Sequence, residues 1–212
     1  MLSQLRTMAT QLVESVLSVA GIRAGTEEPD HTSRPLADGV EIRRYGPRIA
    51  AETTVAANEE AARNAGFRRL AGYIFGRNHQ ERRIDMTAPV VQQQDRGVSQ
   101  KIAMTAPVAQ ASAGQQGWTI RFYMPSDWTM ESLPTPDDER VHIVTQPAET
   151  VAVLRFTGDR GSEAVASRTS QLIETLQANG IEPAGDPMAW FYDPPWTIPF
   201  LRRNEIAIPV HA

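Results

Sequence analysis

The order of the predicted secondary structure repeats once along the chain, and this repeat restricts the fold more than any other feature. Residues 40–55 alternate like two strands with a break at Gly46-Pro47, and a helix capped by Asn58 follows. After two further strand-like segments, residues 141–210 repeat the order of two strands, a helix and two strands. Such halves are expected to join their strands in one sheet with the helices outside. The sequence predicts an α+β fold, a distorted antiparallel barrel or curved sheet of two similar halves, flanked by two long helices.

The chain divides into three predicted regions, namely an N-terminal amphipathic helix (1–24), a polar linker (25–38) and one domain (39–212). In the first region apolar residues recur at helical spacing, whereas Gln11 and Glu14 interrupt what would be the apolar core of a signal peptide. The segment is also too polar to span a bilayer. We expect this helix to dock on the domain, with reversible binding to a membrane surface as the alternative. The protein is predicted to be soluble and cytoplasmic.

Composition excludes several classes of function. The net charge of −4 argues against a nucleic-acid partner, since binding to phosphates usually requires a basic excess. The absence of cysteine excludes disulfides, thiolate metal sites and covalent attachment of haem. The four histidines lack the spacing of metal ligands, and the chain has neither a glycine-rich phosphate loop nor a nucleophile elbow. We therefore predict a protein without catalytic activity.

Aromatic residues and prolines concentrate near the C-terminus. The segment "AWFYDPPWTIPFLRRNE" (189–205) combines five aromatic residues with three prolines and two arginines. It fits either a rigid loop that closes one end of the barrel or a preorganised apolar wall for a flat ligand. The first long helix adds arginines beside its apolar face, at Arg63, Arg68, Arg69 and Arg77. An apolar wall with an arginine rim would suit an amphipathic dicarboxylate such as a porphyrin.

The sequence "MTAPV" occurs twice, at residues 86–90 and 104–108. Methionine sulfur can ligate haem iron, which makes Met86 and Met104 tempting as metal ligands. Methionine is also a common filler of irregular cores. Both segments are predicted in neighbouring strands of one hairpin, and Pro89 and Pro107 would mark strand edges or bulges. We interpret the repeat as two matching core methionines.

These paired segments, together with "VEIRRYGPRIAAET" and "FYDPP…P…RRNEIAIPV", resemble the SOUL/haem-binding protein family over about residues 26–210. The resemblance implies a distorted antiparallel barrel with two long helices. It also implies a monomeric or weakly associating protein that carries or buffers haem, or another tetrapyrrole, through non-covalent contact. The ligand would lie in a surface groove between the first long helix and the loop before the last strand.

The resemblance also implies which residues line the groove. The helix would contribute Phe67, Leu70, Ala71 and Ile74, and the facing loop would contribute Tyr192, Pro195, Trp196, Ile198 and Phe200, with Leu201 as a further candidate. Asn64 and Gly72 stand where family members have a basic residue for the propionates, so Arg63 and Arg68 are the expected substitutes. An offset of one residue turns a helical side chain by about 100°. His79 is the nearest, weak candidate for an iron ligand.

Two other functions remain open. The same two-halved architecture resembles the ligand-binding domains of some bacterial transcription regulators, which take cationic amphipathic compounds. A carboxylate deep in the groove would favour such a general small-molecule binding module. An enzyme that acts on a tetrapyrrole is the third alternative, and no residue pattern supports it.

Overall fold

The computed structural model describes residues 27–80, 83–84, 87–95, 117–193 and 196–211. In these residues two long helices, α1 (Glu59–Ile74) and α2 (Ser162–Ala178), pack on one antiparallel sheet. The sheet has nine strands: β1 (His31–Pro35), β2 (Val40–Tyr45), β3 (Arg48–Val55), β4 (Val90–Asp95), β5 (Gly117–Tyr123), β6 (His142–Gln146), β7 (Glu149–Phe156), β8 (Met188–Phe191) and β9 (Asn204–Pro209).

The sheet has the order β1-β2-β7-β9-β8-β4-β5-β3-β6 and curls into a half-barrel, with β1 and β6 at its edges. All the strand pairs are antiparallel. This architecture confirms the predicted fold class. Two similar halves would produce this strand order, but an internal duplication of the chain stays a prediction. The predicted N-terminal helix (1–24) lies outside the described residues.

Strands at the centre of the sheet are apolar on both faces. Successive residues of such a strand therefore belong to hydrophobic clusters on opposite sides of the sheet. In β7, Val151 and Val153 face the concave interior, whereas Ala152 and Leu154 belong to the cluster beneath α2. Successive side chains of a strand point to opposite faces, so a sheet covered on both sides reads as a continuous apolar run. The run "VAVLRF" (151–156) is therefore explained by burial on two sides.

The two helices begin and end largely where the sequence predicts. The Asn58 side chain caps α1 by accepting a hydrogen bond from the Ala61 amide at 2.9 Å, which satisfies one of the free donors of the first turn. A glycine at φ 67°, Gly180, follows α2 as predicted, because glycine adopts this conformation without a steric cost. The buried side of α1 consists of Ala62, Gly66, Leu70, Tyr73 and Ile74.

The predicted linker (25–38) contains a strand. Residues His31–Pro35 form β1 and pair with β2, although all five of these residues are exposed. An edge strand without a buried face has no alternation of apolar residues, so the sequence carried no signal for it.

The repeated MTAPV segments lie partly outside the described residues, which include neither Met86 nor residues 104–108. Thr87 forms an isolated bridge with Glu27, and the Ala88–Pro89 peptide bond is cis. Strand β4 begins at the next residue. The prediction that Pro89 marks the edge of a strand is thus confirmed.

A cluster of buried charges, the Glu205 cluster, occupies the concave interior. The Glu205 carboxylate has no exposed surface and accepts hydrogen bonds from Arg43 Nη1 at 2.7 Å and Nη2 at 3.0 Å. Arg203 Nε donates to it at 2.8 Å and the Tyr192 hydroxyl at 2.7 Å. Four donors therefore compensate one carboxylate whose charge would otherwise be costly to bury.

The surroundings of Glu205 link its protonation to folding. Burial by itself raises the pKa of the Glu205 carboxyl, but the hydrogen bonds and charges of Arg43 and Arg203 outweigh burial and lower the pKa below its usual 4.5. A carboxyl pKa lowered in the folded state contributes stability at pH values above the unfolded pKa. This contribution is lost as the pH falls through the folded pKa. The cluster should therefore weaken in acid.

Replacement of Glu205 by Gln should strongly destabilise the fold. The substitution keeps the shape of the side chain but removes the buried counter-ion of Arg43 and leaves it only the partly exposed Glu41, which costs roughly 3–5 kcal/mol of unfolding free energy. Urea denaturation at pH 7 measures this loss. The control is Asp138→Asn, which removes a surface ion pair with Arg140 and should cause a much smaller change. Equal losses in the two variants would contradict the role assigned to the cluster.

Two glycines of α1 should respond oppositely to Ala. A Cβ at Gly66 would collide with the Ile120 side chain of β5, coming within 2.8 Å of its Cβ. A Cβ at Gly72 would meet only the flexible Arg77 side chain, 3.1 Å from its Cδ. We expect Gly66→Ala to lower the unfolding free energy by about 1–3 kcal/mol. Gly72→Ala should be neutral or raise it by up to about 1 kcal/mol. Chemical denaturation distinguishes the two, and a stabilised Gly66→Ala would refute the close approach of α1 to β5.

Candidate functional site

The loop between β8 and β9 is held firmly at its base. The Tyr192 amide donates to the Arg203 carbonyl at 3.3 Å, and the Arg203 amide donates to Asp193 Oδ2 at 2.6 Å. A short 3-10 turn, Pro199–Leu201, lies within the loop, and the Thr197 side chain is completely buried. Pro195, one of the predicted groove residues, lies outside the described residues.

This loop exposes large apolar side chains, here called the apolar patch. The exposed fractions are 62% for Trp196, 37% for Ile198, 70% for Phe200 and 39% for Leu201. Contiguous exposure of such side chains is uncommon in a folded domain and marks a binding surface when polar residues surround it. Three of the four belong to the predicted groove, and Leu201 is its further candidate.

Three arginines from distant parts of the sequence meet beside the apolar patch and form the arginine cluster. Arg63 of α1 donates from Nη1 to the Arg160 carbonyl at 3.3 Å, and Arg160 Nη1 donates to the Asp193 carbonyl at 3.2 Å. Arg202 Nε donates to the carbonyl of Thr197, within the loop, at 2.7 Å. These contacts connect α1, the turn before α2 and the loop in one surface.

Nearby carboxylates compensate the arginine cluster only in part, and one of them, Glu59, has Oε1 3.8 Å from Arg63 Nη1. Burial and the charges of Arg63 and Arg202 lower the pKa of Arg160 to about 10, and nearby Asp193 and Asp159 offset the effect only in part. Burial also lowers the pKa of Arg63. The guanidinium carbons of Arg63 and Arg160 lie 5.0 and 5.8 Å from the ring centroid of Phe191. A carboxylate at this position would relieve the repulsion between the guanidinium groups.

Arg63 connects the first turns of α1 to the same region. Arg63, Phe67 and Ala71 are spaced four residues apart, so they form a row along the helix. The contact from Arg63 to Arg160 orients this row towards the turn before α2. Phe67 is half-buried, and its ring centroid lies 5.4 Å from that of Phe122.

The other predicted site residues lie elsewhere. Leu70 and Ile74 are buried in the core between α1 and the sheet, and Tyr192 is buried with its hydroxyl on Glu205. Arg68 is exposed on α1. His79 follows the C-terminal end of α1, with Nδ1 3.4 Å from Asp137 Oδ1. The structure thus connects Arg63 to the loop through Arg160, whereas the placement of Phe67 and Ala71 beside the loop stays a prediction.

The sequence interpretation missed Arg160. It lies in the turn "TGDRGS" (157–162), where an arginine carries no periodic signal and usually stays in solvent. Tertiary contacts bring this turn to the loop, among them the hydrogen bond from the Gly158 amide to the Pro199 carbonyl at 3.0 Å. Conversely, Arg203 is adjacent to Arg202 but turns inward to Glu205, because neighbours in an extended chain point to opposite sides.

Neither a metal centre nor a membrane span is found in the described parts of the chain. No group of three or more His, Asp or Glu side chains there is arranged to hold a metal ion. None of the helices within those ranges has the length and apolar character to cross a bilayer.

Comparison with known sequences identifies a matching family. The model described as "SOUL heme-binding protein" matches residues 26–101 and 93–209. Heme-binding protein 2 from Mus musculus is 30% identical over 147 residues, and the Homo sapiens protein of that name is 29% identical over 147 residues. Each match covers 69% of this chain and 65% of the relative, so the chain spans about 65% of the length of these relatives.

Solved structures share the fold at low sequence identity. The C-terminal domain of EcmrR has a TM-score of 0.54 and 12% identity, covering 85% of this chain and 98% of that domain. An uncharacterized conserved protein from Listeria innocua has a TM-score of 0.51 and 12% identity, covering 89% of this chain and 94% of that one. At such identities the likeness concerns the fold alone.

Fluorescence quenching should report the positive field at the apolar patch. Trp196 is exposed next to Thr197, whose carbonyl binds Arg202. We therefore expect the ratio of the iodide to the caesium Stern–Volmer slope to exceed the ratio for free N-acetyltryptophanamide at equal ionic strength, because the arginines attract the anion. Trp196→Phe should remove most of this excess, and Arg202→Met should reduce it. A ratio equal to that of the free compound in the unmodified protein would contradict the positive field.

Proposed function

The chain belongs to the SOUL haem-binding protein family, and from this premise we propose that it binds haem or a related tetrapyrrole without a covalent bond. The proposed groove lies between the Arg63–Phe67–Ala71 row of α1 and the apolar patch. The observation that carries the proposal is the juxtaposition of exposed Trp196 and Phe200 with the arginine cluster.

The two parts of the groove match the two parts of the ligand. A tetrapyrrole macrocycle is flat and apolar, so the rings of Trp196 and Phe200 would stack on its face and gain from the removal of both surfaces from water. The propionate carboxylates would pair with Arg63, Arg160 and Arg202, whose guanidinium groups can bind carboxylates with two hydrogen bonds each. Arg63 would thus contact a propionate, as the sequence analysis expects.

We further propose a carrier or buffer role without catalysis. His79 lies beyond the far end of α1, and the helix from Arg63 to Ile74 alone measures about 16 Å. A tetrapyrrole at the apolar patch would therefore be held by apolar and ionic contacts, without coordination by His79. In such a complex, solvent or a receiving protein would supply the iron ligands. The absence of a protein ligand favours ready release of the haem. Cytoplasmic location, a monomeric state and lipid contact through residues 1–24 stay predictions.

The alternative of a binding module for cationic compounds depends on a deep carboxylate. Glu205 is such a carboxylate, but Arg43, Arg203 and Tyr192 already donate four hydrogen bonds to it. A cationic ligand would have to displace buried arginines, at a cost comparable to breaking a buried ion pair. The arginine cluster at the surface favours an anionic ligand instead.

Hemin titration followed by the Soret band tests the proposal. We expect a saturable shift at low micromolar hemin. Trp196→Ala and Phe67→Ala should weaken binding, the former by roughly 10- to 30-fold if Trp196 is a principal contact. Arg160→Met should weaken binding by about tenfold or more, since hydrogen bonds between charged groups are lost. The absence of a saturable shift would refute the proposal.

Two controls separate specific binding from nonspecific adsorption. Arg140→Met removes a surface arginine whose contacts are with Asp138, and should leave hemin affinity unchanged. His79→Ala should leave both the affinity and the band position unchanged, whereas a changed band would identify His79 as an iron ligand. Transfer of bound hemin to apomyoglobin tests the carrier role. Degradation of several equivalents of hemin per protein under ascorbate and oxygen, faster than that of hemin without the protein, would instead reveal an enzyme.

A further inference from the structure

Glu28 is anchored at the base of the β8–β9 loop. Its carboxylate accepts hydrogen bonds from Arg203 Nη1 at 3.0 and 3.1 Å. Arg203 follows the apolar patch by two residues, and the Tyr192 amide binds its carbonyl where the loop closes. The segment before β1 therefore passes beside the loop that carries the patch.

Glu27 adds a second anchor at the same end of the sheet. Its carbonyl accepts a hydrogen bond from the Ala88 amide at 3.0 Å, and its side chain accepts one from the Ser126 amide at 2.8 Å. Ala88 lies just before β4, whose first residue, Val90, pairs with Phe191 at the end of β8. Two anchors thus fix the point from which the preceding residues extend, next to the start of the loop.

The predicted N-terminal helix (1–24) is long enough to reach the apolar patch from this point. Residues 25 and 26, between the predicted helix and Glu27, span at most about 7 Å. A helix of this length measures about 36 Å. A helix that turns back over the loop would therefore lie on the patch along several of its turns.

The predicted helix has an apolar face that matches the patch in character. Leu5, Leu12 and Val16, here called the apolar stripe, are spaced by seven and four residues, which places them on one face of a helix. An amphipathic helix buries such a face on another apolar surface. Within the described ranges, four of the six exposed large apolar side chains form the patch, and the other two, Phe75 and Met130, come from separate segments. The patch thus offers the stripe more large apolar side chains than any other surface in those ranges.

The short connection favours this contact over one with a separate molecule. A group held by a short flexible linker reaches an effective concentration of about 1 mM at its partner surface. A contact with a dissociation constant of about 0.1 mM would then be formed about nine-tenths of the time. A second copy of the chain at micromolar concentration would occupy the same patch far less.

We propose that the predicted helix of residues 1–24 places the apolar stripe on the apolar patch and thereby covers the proposed haem groove. The helix docks in the absence of ligand, and a tetrapyrrole displaces it to stack on Trp196 and Phe200. The docking stands on its own, whereas the competition with the ligand rests on the proposed function. The segment thus lowers the apparent affinity of the groove for its ligand.

Photo-crosslinking of the ligand-free full chain tests the docking. p-Benzoylphenylalanine in place of Leu12 lies within the stripe, whereas in place of Gln11 it lies on the polar side of the predicted helix. We expect irradiation at micromolar protein to link position 12 to residues 196–201 of the same molecule, as identified by mass spectrometry of the peptides. Position 11 should link to these residues much less. Added hemin should reduce the crosslink from position 12.

Two variants of the full chain test the competition. The stripe variant introduces glutamine, a good helix former, by Leu5→Gln, Leu12→Gln and Val16→Gln. The matched control introduces it on the opposite face, by Ser3→Gln, Thr7→Gln and Ser18→Gln.

We expect the stripe variant to bind hemin about tenfold more tightly than the unmodified chain, since a groove that is free about one-tenth of the time loses that factor in apparent affinity. The control should bind like the unmodified chain. The stripe variant should also steepen the Stern–Volmer slopes of both iodide and caesium, because Trp196 is no longer covered. Circular dichroism verifies that both variants are folded.

Several results would overturn the proposal. Crosslinks from position 12 that join two molecules would assign the patch to a second copy of the chain, and crosslinks to other segments would refute the docking. No crosslink, together with co-sedimentation on phosphatidylglycerol vesicles, would assign the helix to a membrane surface. If the crosslinks reach residues 196–201 but the stripe variant and its control bind hemin equally, the competition is refuted. Failure of hemin to bind any of the three proteins would refute the proposed function, and the crosslinks alone would then decide the docking.

Discussion

The buried Glu205 carboxylate is the interaction on which the rest of the structure depends. It lies on β9 and binds Arg43 of β2, and β7 separates these two strands in the sheet. Hydrogen bonds between backbone groups connect only neighbouring strands, so this side-chain contact fixes the curl across three strands. Because an uncompensated charge inside the sheet would be costly, alternative registers that separate Glu205 from its arginines are disfavoured.

The same cluster positions the proposed haem site. Arg203 and Tyr192 both bind Glu205, and they stand at the two ends of the β8–β9 loop, where their backbones also pair. The loop is thus closed at its base by the core. Its apolar side chains do not fold back into the interior, which Trp190 and the tyrosines fill. Trp196 and Phe200 are consequently exposed on a loop whose base is fixed, and a fixed base reduces the entropy lost when a ligand binds.

Arginines serve three distinct purposes in this fold, according to their surroundings. Arg43 compensates a buried carboxylate, Arg48 is stacked between two tyrosines with donors unused, and Arg160 belongs to a group of mutually repelling cations. The sequence presents all three as ordinary polar positions. Their different chemistry follows from how many acceptors surround each guanidinium, and distant segments of the chain supply those acceptors.

The sequence by itself determined the elements and the fold class, because periodicity, caps and turns are local properties of the chain. It also indicated the aromatic loop and Arg63 through a family resemblance. It could not reveal β1, an exposed edge strand without alternation of apolar residues. Nor could it show that Leu70 and Ile74 are buried between α1 and the sheet. Only the tertiary structure decided which arginines converge. Arg63 and Arg160 lie 97 residues apart and meet because the turn before α2 packs on the loop, a contact that no local pattern encodes.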